Sequence, residues 1–415
     1  MKNNYNRTII GCYLGIFVQA IVNNFTAILF VPLMGMYDMS FVDLGILVSV
    51  NFVAQVGVDI LFSGAIDKYG YRRLLMPALV MAFVGLFLYV LTPNILPGYE
   101  FFGFLVSTVI FAAASGFLEI MLSSIVNDVP SDNKGAAMSL MHSFYAWGQL
   151  ATVALTTIGL FVLGKENWQF IIAFWMIFPF ITFILFCFSP LPEVSGSEKS
   201  GNNKLKVILS PFFIIAMLTI FTGASAELVA AQWCSSFLEK ALGLSKTMGD
   251  LIGICGFAAM MGTARALYGA LGSKINIHVA MMVCSAVSFV CYVLLSVSSN
   301  NIICLIACAL AGFGAGILWP GTLVIASDKF PTAGAWIFAI LAAAGDIGGS
   351  VSTWFTGIII DYCANTPIAN LVGSLTNSDG TGAAMRLSLL IAALAPLVCF
   401  FCNVILRNNM KKSVK

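Results

Sequence analysis

The sequence predicts an all-α membrane protein of twelve transmembrane helices, laid out as two six-helix pseudo-repeats. Three observations lead there. Of the 415 residues, 60% are hydrophobic and 9% charged, whereas soluble domains carry about 25% charged residues. Apolar runs of about 20 residues, long enough to cross a hydrocarbon core, recur along the whole chain. The third observation is that the chain carries one pattern twice. Gly116-Phe117-Leu118-Glu119 returns as Gly316-Ile317-Leu318-Trp319, and Asp128, Pro130 and Ser131 return as Asp328, Pro331 and Thr332. Phe52, Gly57 and Gly64 match Phe257, Gly262 and Gly269, and Gly148 matches Gly348. Strands are set aside, because barrel segments alternate in hydropathy and these runs do not.

The spans fall near 8–35, 42–66, 72–93, 99–126, 134–163, 168–189, 207–240, 246–271, 277–297, 300–327, 331–361 and 383–406. Those well above 20 residues imply tilt or breaks in the helix. Charge placement checks the count. With both termini inside, the outer segments hold only Lys165, Lys240, Lys246 and Arg386, and the remaining sixteen of the 20 Lys and Arg lie inside. That is the bias the positive-inside rule demands, and one miscounted span would spoil it. A multi-pass protein of the cytoplasmic membrane is expected, with both termini cytoplasmic. Orientation accounts for the basic residues, so the net charge of +2 gives no reason to expect a nucleic-acid partner. The first apolar run is too long for a cleavable signal, and no small-x-small site follows it.

The domain reading is 1–189 for the first six-helix half, 190–206 for a cytoplasmic linker and 207–415 for the second half. The linker is rich in Ser, Gly, Asn, Lys and Glu, which suits a flexible connection. Tyr362–Gly382 reads as a polar outer loop. Gly312, Gly314 and Gly316, with Gly345, Gly348 and Gly349, mark close helix packing. The eleven cysteines sit mostly inside spans, and Cys399 and Cys402 have CxxC spacing only on an apolar helix end. No disulfide framework or redox role is expected. No Gly-x-x-x-x-Gly-Lys-Ser/Thr loop occurs, which argues against ATP hydrolysis. Two histidines, His142 and His278, are too few for a histidine metal cluster or a triad. No cofactor and no enzymatic activity are expected.

The loop after the second span reads Gly64-Ala-Ile-Asp67-Lys68-Tyr-Gly70-Tyr-Arg72-Arg73. Gly64 permits close helix approach and Gly70 a tight turn. Asp67 can pair with the arginines or with the positive N-terminus of a nearby helix. This loop resembles the signature of the major facilitator superfamily. Asp67, Arg72 and Arg73 are thereby expected in gating. The second-half counterpart, Gly269-Ala-Leu-Gly272-Ser-Lys274, lacks the acid. Within the superfamily, the chain looks most like the fucose permease-like branch of sugar–proton symporters. Asn23-Asn24 ahead of an apolar stretch and Pro32, Glu119 in the fourth span, and Met138 to Gly148 opening the fifth carry that likeness. The resemblance implies a membrane acid at Glu119. The branch's first-helix acid falls on Ala27, and two of its amide positions fall on His142 and Tyr145.

The ionisable residues also speak for themselves. An acid near a helix centre costs about 2.5–3.5 kcal/mol on insertion scales, so it faces a cavity or a partner. The candidates are Asp59, Glu119, His142, Glu227, Arg265 and Asp346. Glu119, among Leu and Met, suits a proton carrier. His142, which titrates near neutral pH when unperturbed, suits proton transfer or solute hydroxyls. Asp59 and Arg265 hold nearly equivalent repeat positions and are candidate gate residues. Glu227, Gln232 and Trp233 in the seventh span join carboxylate, amide and aromatic face, which is what a sugar ring needs. Trp147, Trp319 and Trp336 are further platforms, and Trp319-Pro320 is suited to break its helix. Gln19, Asn23, Asn24 and Asn51 add neutral polarity. Substrate binding or coupling is therefore expected of Glu119, His142, Tyr145, Asn23, Asn24, Glu227, Gln232, Trp233 and Trp319.

Duplicated helix bundles with a solute site at the repeat interface are how many secondary transporters are built. The expected function is secondary active transport of a small polar solute, a sugar above others, coupled to protons and carried out by a monomer in the lipid bilayer. Efflux or facilitated passage of an amphipathic organic compound or drug is the alternative, and a transport-inactive membrane sensor is a third.

Overall fold

The computed structural model describes residues 5–39, 41–62, 64–194, 204–245, 248–272, 274–363, 366–376, 378 and 380–413. The middle of the linker, 195–203, lies outside them. No strand occurs among the described residues. The long helices are α1 (Asn6–Ile28), α2 (Phe41–Leu61), α3 (Tyr71–Ile95), α4 (Glu100–Asp128), α5 (Lys134–Leu163) and α6 (Lys165–Cys187). They continue with α7 (Pro211–Leu242), α8 (Cys255–Leu271), α9 (Ile277–Val297), α10 (Asn301–Lys329), α11 (Trp336–Cys363) and α12 (Gly380–Met410). All but α2 lie in runs long and apolar enough to cross a membrane, and α2 is apolar over the shorter Ile46–Leu61.

The chain contacts divide into two units. One comprises Met1–Asp132, Phe144–Gly201 and Pro331–Ala343; the other comprises Asn133–Ser143, Asn202–Phe330 and Ala344–Lys415. The units follow the two sequence halves except for a short segment of each. The start of α5 groups with the second unit because α8 offers it glycines. A Cβ on Gly269 would stand 2.8 Å from Leu140 Cβ, and one on Gly272 would stand 3.1 Å from that of Ala136.

The repeat is built into the packing of each unit. In the first, a Cβ on Gly116 of α4 would lie 3.2 Å from the Gln55 backbone and 3.1 Å from Val58. In the second, a Cβ on Gly316 of α10 would lie 3.1 Å from the Met261 carbonyl and 2.8 Å from Ala264. The same glycine thus admits the same neighbouring helix. This register makes Asp59 and Arg265 equivalent. Gly148 meets α1 at Phe17 and Ala20, as Gly348 meets α7 at Phe221. That second register makes Asn23 and Glu227 equivalent.

Aromatic packing fixes one end of the first unit. Tyr89 stands 4.5 Å from Phe104, 5.2 Å from Phe25 and 5.9 Å from Trp168, ring to ring. Such pairs add about 0.5–1.5 kcal/mol each beyond buried area. They hold α1, α3, α4 and α6 together, so polar groups further along α1 and α4 keep their spacing.

One feature departs from the sequence reading and another adds to it. Tyr362–Gly382 is not a plain loop, since Pro367–Thr376 is helical. Proline suits a first helical position, and Ile368, Leu371, Val372 and Leu375 give the segment an apolar side. Arg386, expected in an outer segment, is 0% exposed. Its guanidinium donates to the Leu295 and Ser298 carbonyls at 3.0 and 2.6 Å, at the C-terminal end of α9. Cations are at home on such carbonyls.

Candidate functional site

In the first unit, three helices each contribute a pair of polar residues spaced by four. They are Gln19 and Asn23 on α1, Asn51 and Gln55 on α2, and Ser115 and Glu119 on α4. That spacing puts each pair on one helix face. Gln19 Nε2 donates to Glu119 Oε2 at 2.7 Å. One turn along, Asn23 and Gln55 exchange amide hydrogen bonds at 3.3 and 3.2 Å. Ser115 Oγ lies 3.1 Å from Asn23 Oδ1 and 3.0 Å from Gln55 Oε1. Asn51 Nδ2 is 3.4 Å from Asn23 Oδ1. Gly116, beside Ser115, is what lets α2 come this close.

Glu119 is 7% exposed, with a neutral amide at its carboxylate. The seam offers acceptors and donors at fixed positions and few fixed charges. Asn24 is not part of it, because its Nδ2 bonds the Ala20 carbonyl of its own helix at 2.8 Å. Asp59, two turns beyond Asn51 on the same face of α2, is fully buried. Tyr145 is half-buried on α5 in this unit.

The second unit answers with an ion pair. Arg265 Nη2 stands 2.9 Å from Glu227 Oε2. Its Nη1 donates to the His142 carbonyl at 3.1 Å and its Nε to the Gly316 carbonyl at 2.7 Å. The last bond follows from local sequence. Proline has no N–H, so Pro320 cannot bond the carbonyl four residues back, that of Gly316. The helix breaks there, with α10 running in two segments, Asn301–Ala315 and Leu318–Lys329. The freed carbonyl is where Arg265 docks. The expected break at Trp319-Pro320 is thus present, just ahead of the proline.

Trp319 is half-buried, its ring on the bare backbone of Gly345 in α11. Trp233 packs by Gly357, and its indole N–H finds no partner among the described residues. Gln232 is exposed. His142 is buried, its carbonyl held by Arg265 and its neighbour Ser139 bonded to the Arg265 carbonyl at 2.8 Å.

The residues of the loop after α2 that were expected in gating make different contacts. Asp67 Oδ1 accepts from the Ala335 N–H at 3.1 Å, one residue before α11 begins. This is the pairing with a helix N-terminus that the motif suggested. Gly334 has φ +84°, and a Cβ there would sit 2.9 Å from Asp67 Oδ1. Arg72 instead donates to the Phe186 and Ser189 carbonyls at 3.0 and 2.6 Å, capping α6. Arg73 is exposed. Sequence reasoning missed Gln55 and Ser115. The signal was available in the four-residue spacing from Asn51 and from Glu119. It also left Glu227 and Arg265 unpaired with each other, since they lie on different helices.

The family model of the Major Facilitator Superfamily matches residues 12–353. The chain belongs to that superfamily: it is a multi-pass membrane transporter rather than an enzyme. Among solved structures, it is similar to the E. coli fucose:proton symporter FucP in an asparagine-to-alanine variant, at 16% identity and a TM-score of 0.76, covering 97% of this chain and 99% of that one. FucP in the outward conformation gives the same values. The proton:xylose symporter XylE bound to 6-bromo-6-deoxy-D-glucose is similar at 14% identity and a TM-score of 0.74, with 95% of each chain covered. At these identities the likeness is one of fold. No curated protein matches the chain in sequence.

Proposed function

We propose that this transporter moves a small uncharged polar solute, a sugar, across the cytoplasmic membrane together with a proton, by alternating access, with both termini on the cytoplasmic side. The observation that carries the reading is the bond from Gln19 to Glu119 beside the Asn23, Gln55 and Ser115 seam. A buried carboxylate that accepts from a neutral amide is suited to take up and release a proton. Amides and a hydroxyl at fixed positions suit hydroxyl groups, each of which donates and accepts. Glu119 then carries the proton, with Gln19 orienting it. Asn23, Gln55, Ser115 and Asn51 meet the solute. In the second unit, taken by itself, Arg265 orients Glu227. Asp67 acts as the latch of the cycle by holding the start of α11, and Asp59 is the first unit's gate candidate. His142 is the alternative proton carrier. The similarity in fold to fucose and xylose symporters supports the same reading.

The test has two arms. Purified protein is screened by thermal shift against neutral sugars, nucleosides and lipophilic cations. Proteoliposomes with an imposed pH gradient are then assayed for accumulation of whichever compound stabilises. Stabilisation by a neutral sugar and gradient-driven uptake are expected. Stabilisation by lipophilic cations alone replaces the proposal with efflux of amphipathic compounds. Binding without flux replaces it with a sensor.

A further inference from the structure

The helix Pro367–Thr376 has no part in the proposed transport chemistry, yet its side chains sort into three sides. Ile368, Leu371 and Leu375 share one face, and they are 59%, 64% and 76% exposed. Asn370 and Ser374 share a second, also exposed. Gly373 and Thr376 share a third and are buried. A helix on a protein surface in water needs only a packed side and a polar side. A third side, apolar and uncovered, requires another medium.

The buried side is fastened to the end of the bundle. Ser299 Oγ donates to the Thr376 carbonyl at 2.9 Å. Arg386 Nε donates to Ser378 Oγ at 2.8 Å while its Nη1 holds the end of α9. Ser378 N–H in turn bonds the Gly373 carbonyl at 3.2 Å. The helix therefore sits level with four helix ends: Val297 of α9, Asn301 of α10, Cys363 of α11 and Gly380 of α12. Helices that cross a hydrocarbon core end near its boundary with water. The helix ahead of Pro367–Thr376, α11, also leaves large apolar side chains exposed. On α11, Trp354, Phe355, Ile358 and Tyr362 are 68%, 50%, 41% and 80% exposed, and the last stands just ahead of the helix. Aromatic residues gather at that depth.

We propose that Pro367–Thr376 is an interfacial anchor, lying in the plane of the membrane with Ile368, Leu371 and Leu375 in the acyl boundary of one leaflet and Asn370 and Ser374 in the headgroup layer. Amphipathic helices bury such a face about 5–10 Å into that boundary. The occupant is lipid of no particular charge, because the segment PIANLVGSLT contains no ionisable residue. Arg386 is its staple: a buried cation whose Nη1 holds the carbonyls ending α9 and whose Nε holds the Ser378 hydroxyl, tying the anchor to the second unit.

Spin labels at positions 370, 371, 374 and 375 of the full chain, on a cysteine-free background in phosphatidylcholine vesicles, read this directly. Leu371→Cys and Leu375→Cys should be more accessible to oxygen than to a nickel chelate, and Asn370→Cys and Ser374→Cys the reverse. Adding phosphatidylglycerol should leave the pattern unchanged. Nickel access at 371 and 375 equal to that at 374 overturns the proposal, as does exclusion of both probes with spin–spin broadening, which is the signature of a second copy covering the face. Ile368→Asn/Leu371→Asn/Leu375→Asn in the otherwise native chain gives an independent reading. It should lower the melting temperature in phosphatidylcholine nanodiscs, and an unchanged melting temperature counts against the anchor.

Discussion

Arg265 and Pro320 are joined through one carbonyl. Pro320 cannot bond Gly316, and Arg265 Nε takes that oxygen at 2.7 Å. A proline that breaks α10 and an arginine that docks in the break form one device, with Glu227 at its far end.

Glu227→Gln tests how tightly that device is built. It leaves the Arg265 charge in a membrane span without its carboxylate. Removing one partner of a buried pair costs about 3–5 kcal/mol. Glu227 is the more accessible partner, its side chain 12% exposed against 3% for Arg265, so the lower end, about 3 kcal/mol, is expected. Glu227→Gln/Arg265→Gln removes both charges and should recover part of the loss. A melting curve for each single variant and the double variant closes the cycle. Additive losses would mean that the ion pair contributes nothing of its own.

Asp67→Asn should slow transport while leaving equilibrium affinity for solute within several-fold, because Asp67 holds the start of α11 and lies at the loop after α2. Gly334→Ala should act in the same direction by a different route. Gly334 has φ +84°, which disfavours a side chain, and its new Cβ would press on Asp67 Oδ1. Transport rate and solute affinity are measured separately. Abolished binding in either folded variant would move Asp67 from the latch to the solute site.

The termini and the linker are expected on the cytoplasmic side, from the sixteen-to-four division of Lys and Arg. Ser197→Cys, which lies outside the described residues, should resist an impermeant thiol reagent in intact cells and label after permeabilisation. Labelling in intact cells would invert the topology.

Much of the fold was legible because membrane helices announce themselves by apolar length, and because the two halves share their glycines. Gly116 and Gly316 marked, in sequence, the contacts they make in each unit. Glu119 was legible as an acid in an apolar run. What it bonds was not, because Gln19 lies a hundred residues earlier and polar side chains in spans look alike until the helix faces are known. Gln55 hid between Asn51 and Asp59 for the same reason. Arg72 shows the same limit. Its place in the loop motif suggested the gate, and the motif gave no sign of the carbonyls ending α6 that it reaches. The helix Pro367–Thr376 was lost among small polar neighbours, its apolar residues too few to register as a span.

Glu119→Gln is the decisive variant for coupling. Glutamine mimics the protonated acid in charge and shape, and it can still meet the Gln19 amide. Solute binding and exchange across the membrane should therefore survive. Accumulation driven by a proton gradient should fail, because the site no longer takes up and releases a proton. Gln19→Leu makes the complementary change, removing the bond at 2.7 Å while keeping the acid. It should weaken coupling without abolishing it, since the carboxyl remains but its orientation is lost. The two variants are compared by equilibrium exchange and by uptake under an imposed pH gradient in the same vesicles. If Glu119→Gln accumulates solute as well as the native protein, Glu119 is a structural acceptor for Gln19. His142→Gln, assayed in that same background, then shows whether His142 carries the proton. Full accumulation in that double variant would mean that the gradient being used is not one of protons at either residue.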